Sequence, residues 1–90
     1  MEKSLEKLRE EIDQIDNKII ALIAKRLQVV ANIGKIKQEK NIPPLDEKRW
    51  EKVVEKIRQK AKENNVPVAL VEKIYKEIHN TALSIQKTHE

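Results

Sequence analysis

From Ser4 to about Lys40 the apolar residues recur as Leu5, Leu8, Ile12, Ile15, Ile19 and Leu22, then Val29, Ile33 and Ile36. These steps of mostly three and four residues place them along one side of an α-helix, and no proline interrupts the run. Ser4 suits the N-cap, because its hydroxyl can accept a backbone N–H of the first turn. A helix of about 36 residues is about 54 Å long at about 1.5 Å per residue. A compact chain of this length has a radius of gyration of about 12 Å and is roughly 30 Å across. The helix is therefore longer than the globule it belongs to. The rest of the chain cannot cover both ends of the stripe, so the pattern predicts a second copy packed along it, in an intertwined homodimer. Gly34, the only glycine, costs about 1 kcal/mol relative to alanine inside a helix. Close approach of another helix, or a bend, would account for it.

The stretch Asn41-Ile42-Pro43-Pro44-Leu45 must leave the helix, since proline neither continues it nor tolerates a helical residue before it. Asp46 is then a natural N-cap, and a second helix runs to about Asn64 with Trp50, Val53, Val54, Ile57 and Ala61 on one face. Asn64-Asn65 marks its end, and Pro67 fits the first turn of a third helix. That helix carries Val71, Ile74, Tyr75, Ile78, Ala82 and Ile85 inward and runs nearly to the C-terminus. The expectation is an all-α fold over residues 1–90, with one very long N-terminal helix and two shorter ones in a single domain.

Composition narrows the functional classes. There is no cysteine, hence no disulfide, thiolate metal site or cysteine nucleophile. No apolar run approaches the roughly 20 residues that span a bilayer, and the N-terminal segment has no apolar core of a signal peptide, so a cytoplasmic location is expected. The net charge of +4 and the pI near 9.4 raise nucleic acid as a partner. Acidic residues are interleaved with the lysines, however, as at Glu51, Lys52, Glu55 and Lys56, and one Trp, one Tyr and no Phe leave no stacking platform for bases. Neither nucleic acid nor membrane is the expected partner.

Only four of the nineteen basic residues are arginine. Lysine meets the general need for surface charge, so each arginine, with a planar fork that grips a carboxylate through two hydrogen bonds, invites a specific explanation. Counting heptads from Leu5, residue 26 falls in the seam of Ile12, Ile19 and Ile33, and it is Arg26. A buried guanidinium needs an anion, supplied either by a carboxylate of the protein or by a ligand. Lys37 lies eleven residues on, about 20° round the helix, and shares that face. Arg9 lies about 25 Å away along the axis and about 100° round, so it cannot join that pocket from its own helix, whereas the equivalent pocket of a second, antiparallel chain is within its reach. Arg49 sits in the first turn of the second helix, where by itself it reads as an exposed residue paired to a nearby acid. Gln86, four residues after Ala82, closes the buried stripe of the third helix, either as an ordinary half-buried amide or as a donor and acceptor for a ligand. His79 and His89 read as solvated, and no metal or nucleophilic constellation accompanies the cations. What remains is a cationic pocket suited to a small polyanion, or to a reaction driven by orientation and charge stabilisation.

Arg9, Arg26, Lys37, Asp46, Arg49 and Gln86, together with the stretches LREEIDQIDNKIIALIAKR, GKIK and PPLDEKR, resemble the all-helical AroQ class of chorismate mutases over essentially the whole chain. The resemblance implies an intertwined dimer with two identical sites, each completed by Arg9 of the other chain. It implies a rearrangement of chorismate to prephenate, in which an ether C–O bond breaks as a C–C bond forms, with no cofactor or metal. Arg26 and the second chain's Arg9 are then expected to hold the two carboxylates, and Lys37 and Gln86 to contact the ether oxygen. Asp46 and Arg49 are expected to shape the wall around the ring.

Two positions depart from the family's pattern. Where relatives commonly carry a glutamate that accepts a hydrogen bond from the substrate's ring hydroxyl, this chain has Trp50, whose indole donates but cannot accept. Either Glu47 takes over or the hydroxyl is less well held. Ala82 stands where a small polar residue often adds a carboxylate contact. Two other functions fit the scaffold: an isochorismate-pyruvate lyase, and a non-catalytic dimerisation module that senses chorismate.

Overall fold

A computed structural model describes residues 4–87. Among these, the chain forms α1 (Leu5–Glu39), α2 (Glu47–Glu63) and α3 (Val68–Lys87), with no strand. The start of α1 is set by Ser4, whose extended backbone turns its hydroxyl to accept the Lys7 N–H at 3.2 Å. Asp46 does the same for α2, accepting the Arg49 N–H at 3.0 Å. These side chains satisfy donors that the first turn leaves without helical partners.

Both α1 and α2 end in the same way. Asn41 and Asn65 adopt φ of 58° and 57°, a left-handed conformation that asparagine tolerates better than most side chains. The Asn41 N–H then donates to the Gln38 carbonyl at 3.2 Å and the Ile42 N–H to the Lys37 carbonyl at 2.7 Å. In α2 the Asn65 N–H reaches the Lys62 carbonyl and the Val66 N–H the Ala61 carbonyl. Each pair is the reversed ladder of a Schellman closure. Pro67 lies just outside α3, one residue earlier than its expected place in the first turn, and its carbonyl accepts the Val71 N–H at 3.3 Å.

The third helix packs against both α1 and α2, while α1 and α2 do not pack on each other. Within the chain the core is small: among the described residues Val30, Ile57, Ala61 and Ala82 are its buried hydrophobic residues. Gly34 is buried beside Val30 on α1, the setting of close helix approach. The buried line of α1 thus runs through Val30 and Gly34, whereas Val29, Ile33 and Ile36, the residues singled out by heptad spacing, stay exposed. In this half α1 is apolar on two faces, and α3 covers one. Ile74 of α3 is likewise exposed rather than inward.

The N-terminal half of α1 receives no cover from α2 or α3. Ile12 is 55% exposed, Ile19 50% and Leu22 67%. The molecule is accordingly elongated, 59 × 24 × 15 Å with a radius of gyration of 16.8 Å.

Candidate active site

A cavity of ≈ 370 Å³ opens where the C-terminal half of α1, the proline turn, the start of α2 and the end of α3 meet. Each of these segments contributes one part of its polar lining: Arg26 and Lys37 from α1, the Pro44 carbonyl from the proline turn, Asp46 and Arg49 from the head of α2, and His79 and Gln86 from α3. The apolar floor includes Val30 and Ala82.

Lys37 is the most tightly placed of these groups. Its Nζ donates to the Pro44 carbonyl at 2.6 Å and to Gln86 Oε1 at 2.9 Å. One ammonium therefore joins α1, the proline turn and α3, and a third N–H remains for a ligand. Because Gln86 spends its oxygen on Lys37, its NH2 donors are the part of the amide left for the cavity. The family resemblance implies both residues at one ether oxygen; their direct contact depends on how the proline turn brings its carbonyl to α1, which helix phase does not give.

Arg26 is half-buried, with its guanidinium 5.8 Å from the centre of the Tyr75 ring. Among the described residues no carboxylate pairs with it. Its own chain therefore supplies no ion pair for it, and a cation over an aromatic face still has its fork available for an anion. Arg49 is exposed and contributes at the rim. Arg9 is exposed and stands outside its own chain's cavity, as the helix phase requires. The fourth arginine, Arg58, pairs with Glu72 of α3 at 3.2 Å and serves helix packing.

Trp50 and Ala82 both line the cavity, half-buried and buried respectively. Glu47, one of the two alternatives for the missing glutamate, is exposed and does not line it. His79 corrects the expectation of a solvated side chain. Its imidazole stacks on the Trp50 indole with ring centres 3.9 Å apart and planes 13° from parallel. Loss of solvent, followed by the nearby Arg26 charge, lowers its pKa below the usual 6.5. Its place was readable in principle: His79 is four residues after Tyr75 and three before Ala82, on the buried stripe of α3. His89 lies outside the described residues.

Comparison with known proteins identifies the family. A family model described as chorismate mutase type II matches residues 8–87. The chain belongs to the type II chorismate mutase family. It is 37% identical to a chorismate mutase of Methanocaldococcus jannaschii across its whole length and 93% of that protein. It is also 35% identical to a bifunctional chorismate mutase/prephenate dehydratase of Aquifex aeolicus over 94% of this chain, and 32% identical to a T-protein of Haemophilus influenzae over 80% of it. In those two it matches only 24% and 19% of the relative's length. The family is one of isomerases acting in aromatic amino acid biosynthesis, and chorismate is its substrate. No described helix of this chain is long and apolar enough to cross a membrane.

Proposed function

We propose that the cavity between α1, α2 and α3 carries out the rearrangement of chorismate to prephenate, as one of two identical sites in a homodimer. The observation that carries this reading is the Lys37–Gln86 hydrogen bond of 2.9 Å at the end of a cavity that also holds Arg26. Chorismate presents two carboxylates and one ether oxygen. Arg26 grips one carboxylate with its free fork, and Arg9 of the second copy reaches the other. The ether oxygen is left to the remaining N–H of Lys37 and the NH2 of Gln86.

In the reaction the ether C–O bond breaks while the enolpyruvyl methylene bonds to a ring carbon. Electron density moves onto the ether oxygen, and no proton or electron leaves the molecule. A pair of positioned donors, one of them charged, then binds the transition state more tightly than the substrate, which is the condition for raising kcat. Holding both carboxylates fixes the folded conformer in which the reacting carbons meet. Arg49 and Asp46 close the wall at the head of α2.

Incubation of the protein with chorismate and, separately, with isochorismate tests the reading. Prephenate is expected from the first. Lys37→Ala and Arg26→Ala should each lower kcat/KM at least about 100-fold, for Lys37 the usual cost of removing a donor to developing charge and for Arg26 that of losing the contact that orients the substrate, while circular dichroism stays helical. Near-normal turnover in either variant would sink the site assignment. Pyruvate and salicylate from isochorismate with no prephenate from chorismate would replace the mutase with a lyase, and binding without turnover would leave only a sensor.

A further inference from the structure

Chorismate carries one more polar group than the cations account for, a ring hydroxyl whose proton needs an acceptor inside the cavity. The lining offers few. The Pro44 carbonyl and Gln86 Oε1 already accept from Lys37, and one carboxylate oxygen of Asp46 accepts the Arg49 N–H. The other Asp46 oxygen belongs to a solvent-exposed residue at the rim. The Trp50 indole has no acceptor. His79 is half-buried, lines the cavity and forms no hydrogen bond with the described residues. Its ring lies flat on Trp50, and that contact limits rotation about the side chain and fixes which edge the cavity sees.

We propose that the imidazole of His79 accepts the hydrogen bond of the ring hydroxyl of chorismate, with Trp50 as the platform that positions it. The inference rests on the functional reading above and adds a substrate-contacting residue to it. A histidine serves as acceptor only when neutral, because both ring nitrogens donate in the charged form. Burial and the Arg26 charge both favour the neutral form. The charged groups that share the cavity with it are Arg26 and Lys37 of α1 and Asp46 and Arg49 at the head of α2. On its other side, Arg58 of α2 and Glu72, Lys73 and Lys76 of α3 line a neighbouring cavity that His79 and Trp50 also border. No second imidazole is among them, so His79 is the side chain whose type titrates between pH 5 and 8.

The test uses the full chain and its His79→Phe and His79→Gln variants, with chorismate and with an analogue bearing hydrogen in place of the ring hydroxyl. Phenylalanine keeps the stack on Trp50 but cannot accept, and the glutamine amide oxygen can. His79→Phe is expected to lower kcat/KM for chorismate about 10- to 100-fold, the usual effect of leaving a buried polar group unpaired. It should change kcat/KM for the deoxy analogue by less than about twofold, and His79→Gln should regain most of the loss on chorismate. Wild-type kcat/KM for chorismate should fall as the pH drops below 6.5, and the glutamine variant should lack that limb. An equal loss on both compounds, or no loss on chorismate, overturns the proposal. If the phenylalanine variant does not fold, the pH limb decides: its persistence in His79→Gln overturns the proposal and its disappearance supports it. A wild-type protein that leaves chorismate unchanged overturns the functional reading and this inference together, whereas turnover indifferent to residue 79 overturns this inference alone.

Discussion

His79 links the cavity to the stability of the fold, independently of any substrate. Its pKa is lowered first by burial and then by Arg26, so the folded chain holds its proton less well than the unfolded chain does. Stability is then full above the unfolded value of 6.5 and declines as the pH falls from there through the lowered folded value. The melting temperature of the wild type should drop between pH 7 and 5 by more than that of His79→Gln, which has nothing to titrate at this position. Parallel melting curves for the two would show that the imidazole is as solvated in the folded chain as in the unfolded one. Lys37 illustrates the opposite case at this scale, a residue whose importance was legible because a cation on an inward helix face has few explanations. His79 is on the same kind of face but gives no such signal, because histidine is polar enough to be expected in water and amphipathic enough not to stay there. Trp50 is the reason it does not, and a stack between helices 29 residues apart in sequence leaves no local signature.

The elements themselves are written into short stretches of chain. Ser4 and Asp46 cap their helices as their side-chain chemistry dictates, and two prolines separate α1 from α2 where the backbone cannot remain helical. Asn65 carries a comparable role at the end of α2, holding φ at 57° so that Val66 can donate back to Ala61. Replacing asparagine with alanine there forces a β-carbon into the left-handed region and should cost about 1 kcal/mol, whereas Asn65→Gly should restore or exceed wild-type stability. Chemical denaturation of the three proteins checks this, and an alanine variant as stable as the glycine one would mean that the closure of α2 does not depend on φ at residue 65. Asn65 is outside the proposed catalytic cavity, so kcat/KM of the folded alanine variant should stay at the wild-type level. Which face of α1 meets α3 was less legible. Val29, Val30, Ile33 and Ile36 spread apolar surface over two sides of one helix, and periodicity alone does not say which side its own chain takes.

At the scale of the molecule, the long helix leaves its N-terminal half outside the chain's own packing, with Leu8, Ile12, Ile15 and Ile19 exposed in a row. Side chains of this size contribute about 1.5–3 kcal/mol each when removed from water, and the small core of the protomer gives no comparable gain elsewhere. A second copy lying antiparallel along this row would cover it and carry Arg9 about 25 Å along the axis to the level of Arg26, so the proposed dimer completes the fold and the site by the same contact. That coupling has a quantitative consequence. In a mixture of Arg9→Ala and Lys37→Ala chains, each homodimer has two defective sites. A mixed dimer has one site with both substitutions and one with neither, because Lys37 of the first chain meets Arg9 of the second. Random exchange of equal amounts puts about half the chains into mixed dimers, so about a quarter of wild-type activity should return. Exchange is measured separately, by native mass spectrometry of differently tagged chains. Activity that stays at the sum of the two inactive parents while mixed dimers are present would mean that each chain builds its site alone, and Arg9 would then have to be explained as a surface charge.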